Sequence, residues 1–344
     1  MNRKIILAVF SIPWICHLHA QNRMDSLFGT QTPLKIGLSI FTKELRDSKK
    51  DSTYISHILY YQNASGINDS IKVALRSRGN FRLKECYFPP LSIKIKKNDA
   101  KGTLFAGNKK IKLVLPCRNN ESSNTLVLKE FVCYKLYEEV TPFSFRTRLT
   151  DIDLTELEKK RNAKSKLKGI FIEDLDITAG RLRAKSMERV TISPSALNDT
   201  IISRFELFQF MISNTDWSVV HQHNCKLIVQ DQDRYIAIPY DSDMSGLVDA
   251  HYATVSHVNG EKLDAERVTD RVFRGYCHSA EVMQLVRQEF LGKKDKLMAV
   301  PDQMQGILSD REIKKMKNYL QEFFDIISND RLFKIKILNK CRAN

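Results

Sequence analysis

Leu91, Ile93 and Ile95 alternate with Ser92, Lys94 and Lys96. A period of two commits this stretch to a strand with one face in a core and the other outside it. Ile111-Lys112-Leu113-Val114-Leu115 is a second strand, and the block from 70 to 115 reads as strand-rich throughout. Residues 33–62 alternate more weakly and predict an edge hairpin. The period then changes. Leu128, Val132, Leu136 and Val140 recur every four residues, with Asn124 as the expected cap and Pro142 as the stop; this predicts a helix. Phe145 to Leu149 and Gly169 to Glu173 predict further strands, with the charged segment 154–168 as a loop or surface helix between them. Residues 200–213 predict an aromatic-rich helix, 226–240 a hairpin, and 280–330 helices that bury Tyr319, Leu320, Phe323, Phe324 and Ile327. Strands come first and helices later, without regular alternation, so the class is α+β rather than a doubly wound sheet.

Arg3 and Lys4 precede an apolar run from Ile5 to Cys16 that is too short to span a bilayer, and His19-Ala20 offers a cleavage point before Gln21. This pattern predicts an export leader over 1–20. The residues before Cys16 are not those of a lipoprotein signal, and no later stretch is apolar enough to cross a membrane. The expected locale is periplasmic or extracellular. The remainder divides into a strand-rich part, 21–120, and a mixed then helical part, 121–344. A formal charge of +15 favours anionic partners. The lysines are scattered without interleaved aromatics, which argues against nucleic acid. An oxidising compartment permits disulfides. Cys86 and Cys117 flank predicted strands, Cys277 and Cys341 sit where they tie the C-terminal helices to the body, and Cys133 and Cys225 read as buried thiols.

The chemistry concentrates between 201 and 246. The helix ends in Asn214-Thr215-Asp216-Trp217; His223-Asn224 precede one strand, and the next empties into Pro239-Tyr240-Asp241-Ser242-Asp243 with Gly246 behind. If the two strands pair, Asn224 lies beside Asp241 at a strand spacing of about 5 Å. Asp216 then reaches the same pocket. Carboxylates and a carboxamide are hard oxygen donors that suit Mg²⁺ or Mn²⁺. In outline this is the phosphate end of a phosphotransferase: Asp216 takes or orients an acceptor hydroxyl, while Asn224, Asp241 and Asp243 hold metal against nucleotide phosphates. Arg76-Ser77-Arg78-Gly79-Asn80 suits a phosphate clamp, and Lys94 stands on the polar side of its strand. The plain alternative keeps Asp216 as a turn cap, Asn224 on backbone, and Asp241 and Asp243 as an acidic turn. His221, His223 and Cys225 have the residue types of a zinc site but no second cysteine pair.

The order Arg78-Gly79-Asn80, Ile93-Lys94-Ile95, Leu104-Phe105, Lys112-Leu113-Val114-Leu115, the helix from Leu128, Gly169-Ile170-Phe171-Ile172-Glu173 and Ile238-Pro239-Tyr240-Asp241-Ser242-Asp243 resembles the CotH family of spore-coat protein kinases, over roughly residues 70–250. It also resembles a group of exported bacterial proteins of unassigned role. The resemblance implies a two-lobed, atypical kinase-like fold that binds ATP and a divalent metal. It implies Asp216 as the catalytic aspartate, Lys94 on phosphates with Glu173 nearby, and Asn224, Asp241 and Asp243 on metal. The chain differs in lacking a Gly-x-Gly-x-x-Gly loop, and eight positions separate Asp216 from Asn224, more than in ordinary kinases.

The expected function is transfer of a phosphoryl group from a nucleotide to Ser or Thr of an exported protein. Two other readings stand beside it: a catalytically inactive envelope binding module, and a metal-dependent glycosyltransferase built on Asp241-Ser242-Asp243.

Overall fold

The computed structural model describes residues 26–343 except 51–52, 64, 158–161, 189, 232–233 and 259–260. The expected leader, 1–20, lies outside the described residues. The first half is a closed barrel of seven strands: β1 (Leu34–Ile40), β2 (Ile55–Gln62), β3 (Asn68–Ser77), β4 (Leu91–Lys94), β5 (Lys110–Val114), β6 (Thr147–Glu156) and β7 (Ala163–Ile172). Their spatial order is β1-β2-β3-β4-β5-β7-β6. Closure is made by β1 running parallel to β6, from Leu34 opposite Thr150 to Ile40 opposite Glu156. Alternation fills the interior: Ile36 and Leu38, Leu59 and Tyr61, Val73 and Leu75, Leu91 and Ile93, Ile111 and Leu113, Ile152 and Leu154, and Phe171 form one buried cluster.

This closed barrel overturns the expected two-lobed kinase-like fold. The physical cause lies in 154–168, expected as a loop or surface helix. Much of it continues β6 and β7, paired from Thr147 opposite Ile172 to Glu156 opposite Ala163. That long ribbon gives β1 an edge to pair with, so residues 33–62 form wall strands of the barrel rather than an edge hairpin. Gly169 makes the close approach possible, since a Cβ there would lie 2.6 Å from Thr150 Oγ1 and 3.0 Å from the Val114 carbonyl oxygen.

Short helices α1 (Thr42–Asp47), α2 (Phe81–Glu85) and α3 (Lys97–Ala100) cross the strand ends. Helix α4 (Glu121–Val140) packs against β6 and β7. Its cap is Asn120, which accepts from the Ser123 N–H at 2.8 Å, and not Asn124, whose side chain instead accepts from the Lys168 N–H. Leu128, Val132, Leu136 and Val140 are all buried. After α5 (Leu175–Arg181) comes a three-stranded sheet of β8 (Lys185–Met187), β9 (Cys225–Gln230) and β10 (Arg234–Pro239), in the order β10-β9-β8. Helices α6 (Asp199–Met211), α7 (Ala280–Gly292), α8 (Lys294–Ala299), α9 (Asp310–Ser328) and α10 (Asp330–Lys336) make up the rest of the helical half. They share a core with α4, in which Phe210, Phe290, Phe323 and Phe324 lie edge to face. Disulfides join Cys86 to Cys117 and Cys277 to Cys341, while Cys133 and Cys225 are free and buried. Among the described residues no helix is long and apolar enough to cross a membrane.

Candidate functional site

The β9–β10 ribbon pairs in register to its mouth. Pro239 lies opposite Cys225, and the Tyr240 N–H donates to the Asn224 carbonyl at 3.0 Å. Asn224 and Asp241 therefore stand at neighbouring strand ends. Both have left-handed backbones, with φ of 47° and 62°. This region suits Asn and Asp better than other non-glycine residues. The Asp241 N–H is fixed by the Tyr134 hydroxyl of α4 at 3.1 Å.

Asp216 arrives from the loop after α6, where Asn214 Oδ1 accepts its N–H at 3.0 Å. Its carboxylate is held from two sides. Asn224 Nδ2 donates to Oδ2 at 2.8 Å, and His223 Nε2 lies 2.8 Å from Oδ1. That bond raises the His223 pKa against the opposing effect of burial.

The third wall comes from the turn after β3. Gly79, with φ of +83°, turns the chain so that Arg78 and Arg82 both face the mouth of the ribbon. The Arg78 guanidinium lies 5.1 Å above the Tyr240 ring. Arg82 is buried: its Nε is 3.9 Å from Asp243 Oδ2, and its Nη1 is 3.8 Å from Glu130 Oε2 on α4. Burial, reinforced by the Asp241 charge, pushes the Asp243 carboxyl up to about 6; Arg82 and the Tyr252 hydroxyl at 3.0 Å work the other way. Glu130 is also raised well above its ordinary value, by burial and then by the Asp243 charge, with Arg82 opposing.

Together Arg78, Asn80, Arg82, Asp216, His223, Asn224, Lys226, Tyr240, Asp241 and Asp243 line a cavity of about 270 Å³. Five of the sequence-predicted site residues meet here: Arg78, Asp216, Asn224, Asp241 and Asp243. Two do not. Lys94 lies 4.0 Å above the Tyr54 ring and lines a separate groove of about 1040 Å³ on the outer face of β2 to β5. Glu173 is fully buried in a structural staple, accepting from Arg181 Nη2 and Thr178 Oγ1, each at 2.9 Å.

Lys112 was not among the predicted residues. It is buried between Tyr240, whose ring centre is 4.4 Å from Nζ, and Phe145 at 5.1 Å. Nζ has no hydrogen-bond partner among the described residues. Burial, then the charges of Arg78 and Lys226, lowers its pKa to about 7. Cross-strand pairing shows where it stands. Lys94 opposes Lys110 in one row of the outer face, and Ser92 opposes Lys112 in the next. That is two residues, or about 7 Å, along the strands. Lys112 thus sits between groove and cavity. Its sequence signal was faint: one lysine inside an apolar strand. Arg82 and Glu130 were equally muted.

Among the described residues no group of three or more His, Cys, Asp or Glu side chains is placed to hold a metal unaided. No protein-family model, curated protein or solved structure matches the chain.

Proposed function

We propose that this is an exported phosphotransferase, moving the terminal phosphoryl group of a nucleotide such as ATP to a Ser or Thr hydroxyl of another exported protein. The observation that carries this reading is the meeting of Asp216, Asn224 and Asp241 with Arg78 in one cavity, next to the unpaired Lys112. An amine and a guanidinium on one wall recognise phosphate oxygens. The opposite wall supplies a carboxylate aimed at a hydroxyl. The larger groove on the outer face of β2 to β5, lined by Lys94 and Lys110, gives space for the rest of the nucleotide.

The donor set fits a divalent cation of a particular kind. The Asp241 carboxylate makes no hydrogen bond or ion pair among the described residues, and Asp243 and Asn224 are its neighbours in the cavity. Mg²⁺ is commonly held by one or two carboxylates together with substrate phosphates, not by an all-protein cage. Asp241, with Asn224 and Asp243, would hold such an ion, which supplies charge neutralisation at the phosphates when bound. The remaining work falls to the chain. Asn224 and His223 fix the Asp216 carboxylate so that it orients the acceptor hydroxyl and accepts its proton. Arg78 and Lys112 position the donor phosphates.

A second reading has its own support. Both Asp216 oxygens already accept hydrogen bonds, as they would in a module that binds phosphate ligands without turnover. A transfer assay with labelled nucleotide separates the two. The phosphotransferase predicts metal-dependent labelling of Ser or Thr, reduced at least 100-fold in Asp216→Asn with nucleotide affinity retained. Tight nucleotide binding with no labelling in the parent protein leaves the binding module. Absence of nucleotide binding contradicts both.

A further inference from the structure

Beside Asp216, away from the phosphate wall, two arginines converge on Trp217. The Arg274 guanidinium carbon lies 5.5 Å from the ring centre and that of Arg342 lies 5.7 Å from it. Arg342 also lies 4.5 Å above Tyr276. Trp217 itself is buried and rigid, packed edge to face on Phe205 at 5.1 Å.

Both arginines are held in place. The Arg342 N–H donates to the Gly275 carbonyl and its own carbonyl accepts from the Cys277 N–H, each at 2.9 Å, with the Cys277–Cys341 disulfide alongside. Arg274 donates to the carbonyl of Thr215, the residue before Asp216. Neither arginine forms an ion pair among the described residues, and the buried Nε of each has no hydrogen-bond partner. Glu206, a buried carboxylate on which the Arg342 charge acts, is already bonded to His278 and to the Tyr276 N–H. Burial, and then the charge of Arg342, depress the Arg274 pKa to about 10.

Asp216 and Glu206 act on Arg274 and Arg342 only through space, without ion-pairing them, so two neighbouring guanidiniums keep unused donors in the free protein, which is unfavourable. The charge and the unused donors are both relieved by an oxyanion. We propose that Arg274 and Arg342 recognise a carboxylate of an acidic segment in the acceptor protein, next to the residue whose hydroxyl faces Asp216. The inference rests on the reading of Asp216 as the acceptor's contact, and it adds the acceptor's chemistry. Arg supplies a planar fork that matches a carboxylate in bidentate fashion, and clustered arginines are a recurrent means of reading acidic motifs.

Trp217 makes the test local. The chain has two tryptophans, Trp14 and Trp217, and Trp14 lies in the expected leader, so in protein prepared from Gln21 onward the emission reports on this site alone. Titration with a serine peptide flanked by glutamates is expected to give a saturable, salt-sensitive change. The same peptide with glutamines should bind at least about tenfold more weakly. Arg274→Gln and Arg342→Gln should each lose about tenfold for the acidic peptide and leave nucleotide affinity unchanged. Equal binding of the acidic and neutral peptides by the unsubstituted site overturns the inference without any arginine variant. Equal affinity for the acidic peptide after both substitutions also overturns it. Nucleotide calorimetry runs separately: acidic-peptide binding without nucleotide binding would remove the proposed reaction and leave this recognition site standing.

Discussion

Lys112 concentrates the physics of the site in one atom. An ammonium between two aromatic rings gains cation–π attraction but loses hydration and all its hydrogen bonds. Its pKa falls from an ordinary 10.5 to about 7. In the pH window between those values the unfolded chain binds more protons than the folded one, so stability rises with pH there. The cost of the buried amine is fully present below about pH 7, fades as the pH rises through that window and is gone above 10.5. Lys112→Met therefore raises the melting temperature at pH 6, by a margin that shrinks toward pH 10, while weakening nucleotide binding. A stabilisation independent of pH, or unchanged nucleotide affinity, contradicts this view. The same residue shows why part of the site was illegible in the sequence. Period-two alternation says that Lys112 leaves the barrel interior, but not that Phe145 and Tyr240 close over it. Glu173 failed in the opposite way. Its strand was legible, yet the partner that removes it from the site, Arg181, lies on a helix turn that only the fold brings back.

At the scale of elements, the ribbon was readable and the barrel was not. The β9–β10 pairing follows from two short apolar runs and the turn between them, and local pairing places Asn224 beside Asp241 with little left to tertiary context. Closure depends on β1 meeting β6, a contact between strands more than 100 residues apart. It also depends on strands whose charged outer faces, Lys164, Lys166 and Lys168 against Asp151 and Asp153, mimic a surface loop. The cysteine spacing allowed the pairs Cys86–Cys117 and Cys277–Cys341 but left the pairing open, and the fold brings both pairs together; Cys133 and Cys225 are buried as their helix and strand patterns suggested. Gly169 is the test of closure. Alanine there cannot move the Val114 carbonyl as easily as the Thr150 hydroxyl, so Gly169→Ala should cost about 1–3 kcal/mol in chemical denaturation. A neutral effect would mean that β5, β6 and β7 lie further apart than described.

Across the whole molecule, the barrel and the helical half share a core, in which Val114, Leu149, Ile170 and Ile172 of the strands pack with α4 and the later helices. The barrel presents Arg78, Lys94, Lys110 and Lys112 on its outer face; the helical half presents Asp216, Asn224 and Asp241 at the ends of a ribbon anchored on α4 and α6. Basic and acidic side chains from the two halves meet at one cavity, and the +15 charge of the chain accords with an anionic ligand. The central claim is that phosphate completes a cation site which the protein alone leaves unfinished. Its most direct measurement is Mn²⁺ binding by electron paramagnetic resonance, with and without a non-hydrolysable nucleotide. The account predicts weak Mn²⁺ binding alone, tight stoichiometric binding once nucleotide is present, and loss of that tight site in Asp241→Asn. Tight Mn²⁺ binding without nucleotide, or a nucleotide-dependent site indifferent to Asp241, would contradict it.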